Sequence, residues 1–136
     1  MLLQREEMRC TFVHMSSTKY QKGFRGLCAW REAHSLALAI YKVTREFPKE
    51  ERYGVVDQLR RAASSIGAQL AEGSCMRTPI HRKSFYDRAH GSAAEVDNFL
   101  ELAHDLQYLE TTQYDVLLNK INRVSFLVQA LSNSCA

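Results

Sequence analysis

Apolar side chains return along this chain at alternating intervals of four and three, the spacing of one helix face, in four separate stretches. The first, Ala29, Ala33, Leu36, Ile40, Val43 and Phe47, predicts a helix from Leu27 to Phe47. Pro48 disfavours helical backbone at Phe47 and suits the first turn of a following helix, whose positive end would take Glu50 and Glu51. That second helix carries Val55, Leu59, Ala62, Ile66 and Leu70, with Gly73 placed for the left-handed conformation beyond its last turn. A short connection, residues 74–77, leads to Thr78 and Pro79, a cap and a first-turn proline. The third stripe reads Phe85, Ala89, Ser92, Val96, Phe99, Ala103 and Leu106 and predicts a helix continuing to about Tyr108. Thr112 and Asp115 form a capping-box pattern ahead of Tyr114, Leu117, Ile121, Val124, Val128 and Leu131. Four helices, each roughly 30 Å long at 1.5 Å per residue and joined by short connections, predict an all-α, antiparallel up-down-up-down four-helix bundle over residues 24–136. Residues 1–23 lack this periodicity and carry Met8 and Met15, so they are expected to be a disordered tail or the product of an early start codon.

Composition agrees with one globular domain: 136 residues, 46% hydrophobic and 24% charged, with 6 Gly, 2 Pro and a mean hydropathy of -0.32. These values exclude collagen-like and low-complexity classes, and no apolar run approaches the ~18 residues of a membrane span. Charge is distributed unevenly. Residues 1–51 hold nine basic and six acidic side chains, residues 52–90 seven and three, and residues 91–136 two and six. This polarity suits an anionic partner or packing of unlike surfaces between subunits, while solvated helix faces account for it equally well.

Cys10, Cys28, Cys75 and Cys135 form no CxxC pair and no zinc-ligand cluster. Glu6 and Glu7 stand where a signal peptide would be apolar, so free thiols and a cytoplasmic location are expected. Beyond the core stripes lie Trp30, Ala37 and Tyr41 on the first helix and Leu118, Phe126 and Leu127 on the fourth. That excess favours a homo-oligomer over a monomer that buries them at its flanks.

Candidate chemistry is sparse. Glu101 and His104 make an ExxH turn, but a di-metal bundle needs a second such pair and further inward carboxylates, and Glu32 and His34 have the wrong spacing. Ser64, Ser65, Ser92 and Cys75 lack a nucleophile elbow, and neither GxGxxG nor GxxxxGK occurs. No catalytic residue, metal, cofactor or small-molecule substrate is therefore expected, and the chain reads as non-enzymatic. Gly91, between Ala89 and Ser92, is expected at a close helix approach, and Gly67 at a bend. The remaining constellation is basic: Arg60 and Arg61 on the second helix, Arg77 in the connection, and Arg82, Lys83 and Arg88 on the third. Guanidinium forks bind phosphate bidentately, and the amino end of the third helix adds anion affinity. The alternative is a structural network in which Arg60 or Arg61 pairs with Glu72 or Glu95.

The runs from Ala29 to Gly73 and from Phe85 to Leu109 carry a family likeness. Phe47-Pro48 with Glu51, Gln58-Leu59-Arg60-Arg61-Ala62, Ala71-Glu72-Gly73, and Gly91-Ser92 with Glu95 stand in order and at family spacing. Over about Phe24 to Leu131 the chain resembles the bacterial four-helix bundle proteins first described as encoded by intervening sequences within large-subunit ribosomal RNA genes. The resemblance implies an antiparallel four-helix bundle, a homopentameric ring and no assigned enzymatic activity. Accessory proteins of diversity-generating retroelements, basic barrels that associate with RNA and a reverse transcriptase, are similar, which makes Arg60, Arg61, Arg77, Arg82, Lys83 and Arg88 candidates for nucleic-acid contact. The sequence departs from the family pattern at Gly67, where many members have proline, at Gln69, where they have asparagine, and at Gln107, where they have glycine. Two expectations follow: an RNA-associated accessory protein, or a scaffold that engages a protein through Glu95, Asp97, Glu101 and Asp105.

Overall fold

The computed structural model describes residues 23–135, so the expectation for the amino-terminal tail lies, Gly23 apart, outside the described residues. A 3-10 turn at Gly23–Gly26 leads into α1 (Cys28–Thr44). After a second 3-10 turn at Lys49–Glu51 come α2 (Val55–Ser74), α3 (Pro79–Asp105) and α4 (Thr111–Asn133). Each helix packs on its chain neighbours, and α4 closes on α1, giving the expected four-helix bundle with no strand among the described residues. Leu36, Ile40, Leu59, Ile66, Leu70, Val96, Leu100, Ile121, Val124 and Val128 fill the centre with essentially no solvent exposure.

Helix ends differ from the sequence pattern for local reasons. α1 stops at Thr44, three residues before Phe47, where the Thr44 hydroxyl donates to the Ile40 carbonyl at 2.7 Å. Phe47 then turns inward, buried against the Tyr108 ring with centroids 5.5 Å apart. Pro48 opens the 3-10 turn rather than α2. Glu51 caps α2 from outside: its Oε2 accepts from the Val55 N–H at 2.9 Å, while its other oxygen accepts from the Tyr108 hydroxyl at 3.2 Å. The capping box of α4 is Glu110 with Gln113, not Thr112 with Asp115, because the helix begins at Thr111.

The stripe on α3 is displaced by one residue along half its length. Its buried positions are Tyr86, Ala89, Ala93, Val96, Leu100 and Ala103, whereas Phe85, Ser92 and Phe99 are half-buried and Leu106 is exposed. Apolar or small residues come as adjacent pairs here, so two stripes coexist. Packing puts the second toward the core and spends Ser92 on a hydroxyl pair with Ser65 of α2, 2.9 Å apart.

Two glycines depart from the roles expected of them. Gly73 is helical and buried, and a Cβ there would lie 2.6 Å from Tyr86 Cε1 and 3.0 Å from Phe85 Cβ. It permits close approach of α2 and α3 and takes no left-handed turn. Gly91, expected at such an approach, faces open space. Gly67 lies under Trp30, whose Nε1 would be 3.5 Å from an added Cβ.

α3 ends in a Schellman arrangement: the Gln107 N–H donates to the His104 carbonyl and the Tyr108 N–H to the Ala103 carbonyl, both at 2.9 Å. Gln107 holds φ at +65°, the left-handed region that disfavours a side chain. Gln107→Gly is expected to stabilise the protein by about 1 kcal/mol. Chemical denaturation would read this as a raised midpoint at unchanged m-value, and a lowered midpoint would refute the strain assigned to this turn.

Candidate nucleic-acid interface

The Ser65–Ser92 pair sets the register between antiparallel α2 and α3, and it separates the six basic candidates into two groups. Arg60 and Arg61 stand level with Val96 and Asp97, while Arg82 and Lys83 stand level with the last turn of α2. At 1.5 Å rise, the groups are roughly 20 Å apart along the bundle.

Arg60 braces α1 against α2. Its Nε donates to Thr44 Oγ1 at 2.9 Å, a second nitrogen reaches the Tyr41 carbonyl at 3.4 Å, and the guanidinium lies 4.6 Å from the Tyr41 ring centroid. Arg61 pairs with Asp57 one turn earlier at 3.0 Å, both exposed, an interaction worth a few tenths of a kcal/mol, roughly. The structural alternative for these two arginines is thus realised with Thr44 and Asp57, and not with Glu72 or Glu95.

The other four gather at the α2–α3 corner. Arg82 donates from Nη1 to the carbonyls of Met76 at 3.0 Å and Arg77 at 3.2 Å, closing the connection and satisfying carbonyls beyond α2. Arg77 is exposed on that connection. Lys83 contacts Asp87 at 2.9 Å and Ser132 Oγ at 3.2 Å, and the Ser132 hydroxyl donates to Asp87 in turn. The Ser132 hydroxyl first, and Lys83 second, hold the Asp87 carboxyl below its ordinary value. Arg88 covers the Phe85 ring at 5.3 Å. Lys83, Ser84, Asp87, Arg88 and Ile80 line a shallow depression of about 510 Å³. Thr78 caps α3, accepting the His81 N–H at 3.4 Å, and the first turn carries no acidic residue, so the positive helix end and the cations reinforce one another.

Glu101 and His104, the ExxH pair, both serve Tyr114 of α4. The Tyr114 hydroxyl donates to Glu101, and the His104 ring stacks on the Tyr114 ring with centroids 4.2 Å apart. Among the described residues no group of three or more His, Cys, Asp or Glu is placed to hold a metal ion. The bond to Glu101 raises the Tyr114 pKa to about 12, with burial second. Because the folded value lies above the ordinary 10.0, this contribution to stability is complete below pH 10 and fades as pH rises through 12. Glu101→Ala is expected to shift one late-titrating tyrosine back toward 10, seen in tyrosinate absorbance. An unchanged titration curve would show that the bond is not formed in solution.

Of the surplus apolar residues, Leu127 is buried, and Trp30, Ala37 and Leu118 pack partly against the core. Tyr41 and Phe126 remain exposed, together with Leu38 on α1 and Val116 on α4. The α1–α4 seam itself is polar, joined by Arg123–Glu32 at 3.3 Å and Lys120–Ser35 at 3.1 Å. Neither link is signalled by local sequence spacing. Cys75 and Cys135 are free thiols, as expected for all four cysteines, but Cys28 is disulfide-bonded. Spacing excludes local CxxC chemistry and is silent on pairings between residues brought together by folding. No described helix is long and apolar enough to cross a membrane.

One solved structure similar to this chain is a protein of unknown function from the S23 ribosomal protein family of Bacteroides thetaiotaomicron. It superposes with a TM-score of 0.72 at 20% sequence identity, covering 77% of this chain and 95% of the other, a likeness that shows the fold. No curated protein matches the sequence. Residues 25–130, which span all four helices almost completely, match the family described as 23S rRNA-intervening sequence protein. The chain belongs to the 23S rRNA-intervening sequence protein family.

Proposed function

We propose that this protein is a non-enzymatic, homo-oligomeric accessory protein that associates with RNA through the α2–α3 corner. The supporting observation is the gathering of Arg77, Arg82, Lys83 and Arg88 around an α3 amino end whose first turn carries no acidic residue, with Asp87, paired to Lys83, as the one carboxylate lining the depression. Arg60 and Arg61 stand roughly 20 Å away along the bundle, so they do not share a phosphate site with the corner. Exposed Leu38, Val116 and Phe126 on α1 and α4 offer apolar surface for self-association, and a ring would repeat the corner and multiply its weak single-site affinity.

The test is a salt titration of binding to structured RNAs, with the oligomeric mass measured by light scattering on the same sample. Affinity is expected to fall steeply with salt. Arg77→Glu with Arg88→Glu should weaken binding on the order of tenfold or more and flatten the salt dependence, while Arg61→Glu should change it by less than about threefold. Equal effects at Arg61 and at the corner would reject the corner as the interface. The exposed carboxylates Glu95, Asp97, Glu101 and Asp105 on the later half of α3 favour a second reading, a protein scaffold. Recovery of a stoichiometric protein partner that survives nuclease treatment, with no salt-sensitive RNA binding, would decide for it.

A further inference from the structure

Two local sites at opposite ends of α3 carry opposite charge. At the amino end of α3, Ile80 is 74% exposed and is surrounded in sequence by Arg77, His81, Arg82 and Lys83, with no acidic residue in the helical turn. At the far end of the same helix a cavity of about 760 Å³ is lined by Glu46, Asp105 and Glu110, with Tyr108 and the otherwise buried Leu109 in its wall. His104 is the one basic residue lining it.

An exposed aliphatic tip beside a cluster in which cations outnumber the single carboxylate Asp87 thus stands opposite an acidic cavity with apolar wall residues. α3 has 27 residues, so about 40 Å separates the two within one chain, and they meet only between copies. Corner against corner or cavity against cavity would juxtapose like charges, which disfavours a two-fold contact and leaves a heterologous one.

We propose that copies of this chain associate head to tail, the α2–α3 corner of one seating Ile80 in the α3–α4 cavity of the next. This contact lies at the ends of the bundle and is separate from any side-by-side assembly through α1 and α4. It engages the corner assigned above to nucleic acid, so it is tested on nuclease-treated protein, and RNA binding and end-to-end contact can fail independently.

The test is sedimentation velocity across protein concentration and salt, using two variants. Ile80→Glu with Arg77→Glu alters the corner; Glu46→Lys with Asp105→Lys alters the cavity. Ile80→Glu in the first turn of α3 and Asp105→Lys in its last suit the helix dipole, and Arg77 and Glu46 lie in connections, so the fold should persist, with circular dichroism as the check. Wild-type mass is expected to rise with concentration near 50 mM salt and to fall back above about 0.5 M, where screening is nearly complete. Each variant alone should associate on the order of 100-fold more weakly. Mixed in equal amounts, the two should regain wild-type pairing affinity through the unaltered corner of one and the unaltered cavity of the other. Absence of concentration dependence at low salt, association of either variant equal to wild type, or a mixture that stays unpaired would overturn the proposal.

Discussion

Gly73→Ala is expected to lower the stability of the folded protein by about 2 kcal/mol, although alanine is the better helix former. Elsewhere in an exposed helix the substitution would gain about 1 kcal/mol by restricting the unfolded chain and raising propensity. At Gly73 the new methyl would stand 2.6 Å from Tyr86 Cε1 and 3.0 Å from Phe85 Cβ. Tyr86 is 3% exposed and enclosed by the core, so its ring cannot swing clear, and Phe85 Cβ is fixed by the α3 backbone. Relief therefore requires the two helices to separate where Tyr86 fills the space between them. Gly91→Ala provides the opposite sign on the neighbouring helix, since its Cβ meets nothing within 4 Å, and should stabilise by about 0.5–1 kcal/mol. Thermal unfolding followed by circular dichroism at one fixed protein concentration would show the pair moving in opposite directions, with Gly73→Ala down by about 10 °C. A rise for both would mean that α2 and α3 separate at Gly73 readily enough to admit a methyl group.

That contrast also marks where periodicity stops informing the fold. Helix number, order and most core residues follow from the four-and-three spacing, because an amphipathic helix must bury one face whatever its partner. Phe47, Val55, Leu59, Ile66, Leu70, Ala89, Val96, Ile121 and Val124 are all buried as read. Gly73 and Gly91 are not distinguished by periodicity, because a glycine looks alike in sequence whether it ends a helix, admits a neighbour or faces water. Only the helix packed against it tells these apart. Gln107 is the converse case: its departure from the family glycine is legible as a substitution, and the structure shows its consequence in a positive φ.

The basic residues were legible as a set but not as a surface. Helix assignment alone places Arg60 and Arg61 near the beginning of α2 and Arg82, Lys83 and Arg88 near the beginning of α3. Antiparallel packing then sends those two beginnings to opposite ends. Linear proximity to Arg77 concealed this separation. The partners of Arg60 are equally invisible in sequence, since Thr44 is 16 residues away and becomes available only because α1 stops there. Similarly, Ser132 reaches Asp87 across 45 residues, and no spacing rule connects them.

Thr44→Val should cost about 2 kcal/mol, and it separates the structural role of Arg60 from a binding role. Thr44 is 3% exposed, donates to the Ile40 carbonyl and accepts from Arg60 Nε. Valine keeps the shape and removes the hydroxyl, leaving a half-buried guanidinium donor without its acceptor, the costly kind of loss for a charged group. Arg60→Met, which retains an apolar stem beside Tyr41, is expected to cost about 1 kcal/mol, because Thr44 still donates to Ile40. The double variant should be less destabilised than the sum of the two by about 1 kcal/mol, as the second change removes a group whose partner has already gone. Equilibrium denaturation of the four proteins closes the cycle. If the single costs add, Thr44 and Arg60 are independent, and the guanidinium is free to turn outward to a phosphate. Coupling of the expected size instead assigns Arg60 to the α1–α2 seam and leaves Arg77, Arg82, Lys83 and Arg88 as the residues of the proposed RNA contact.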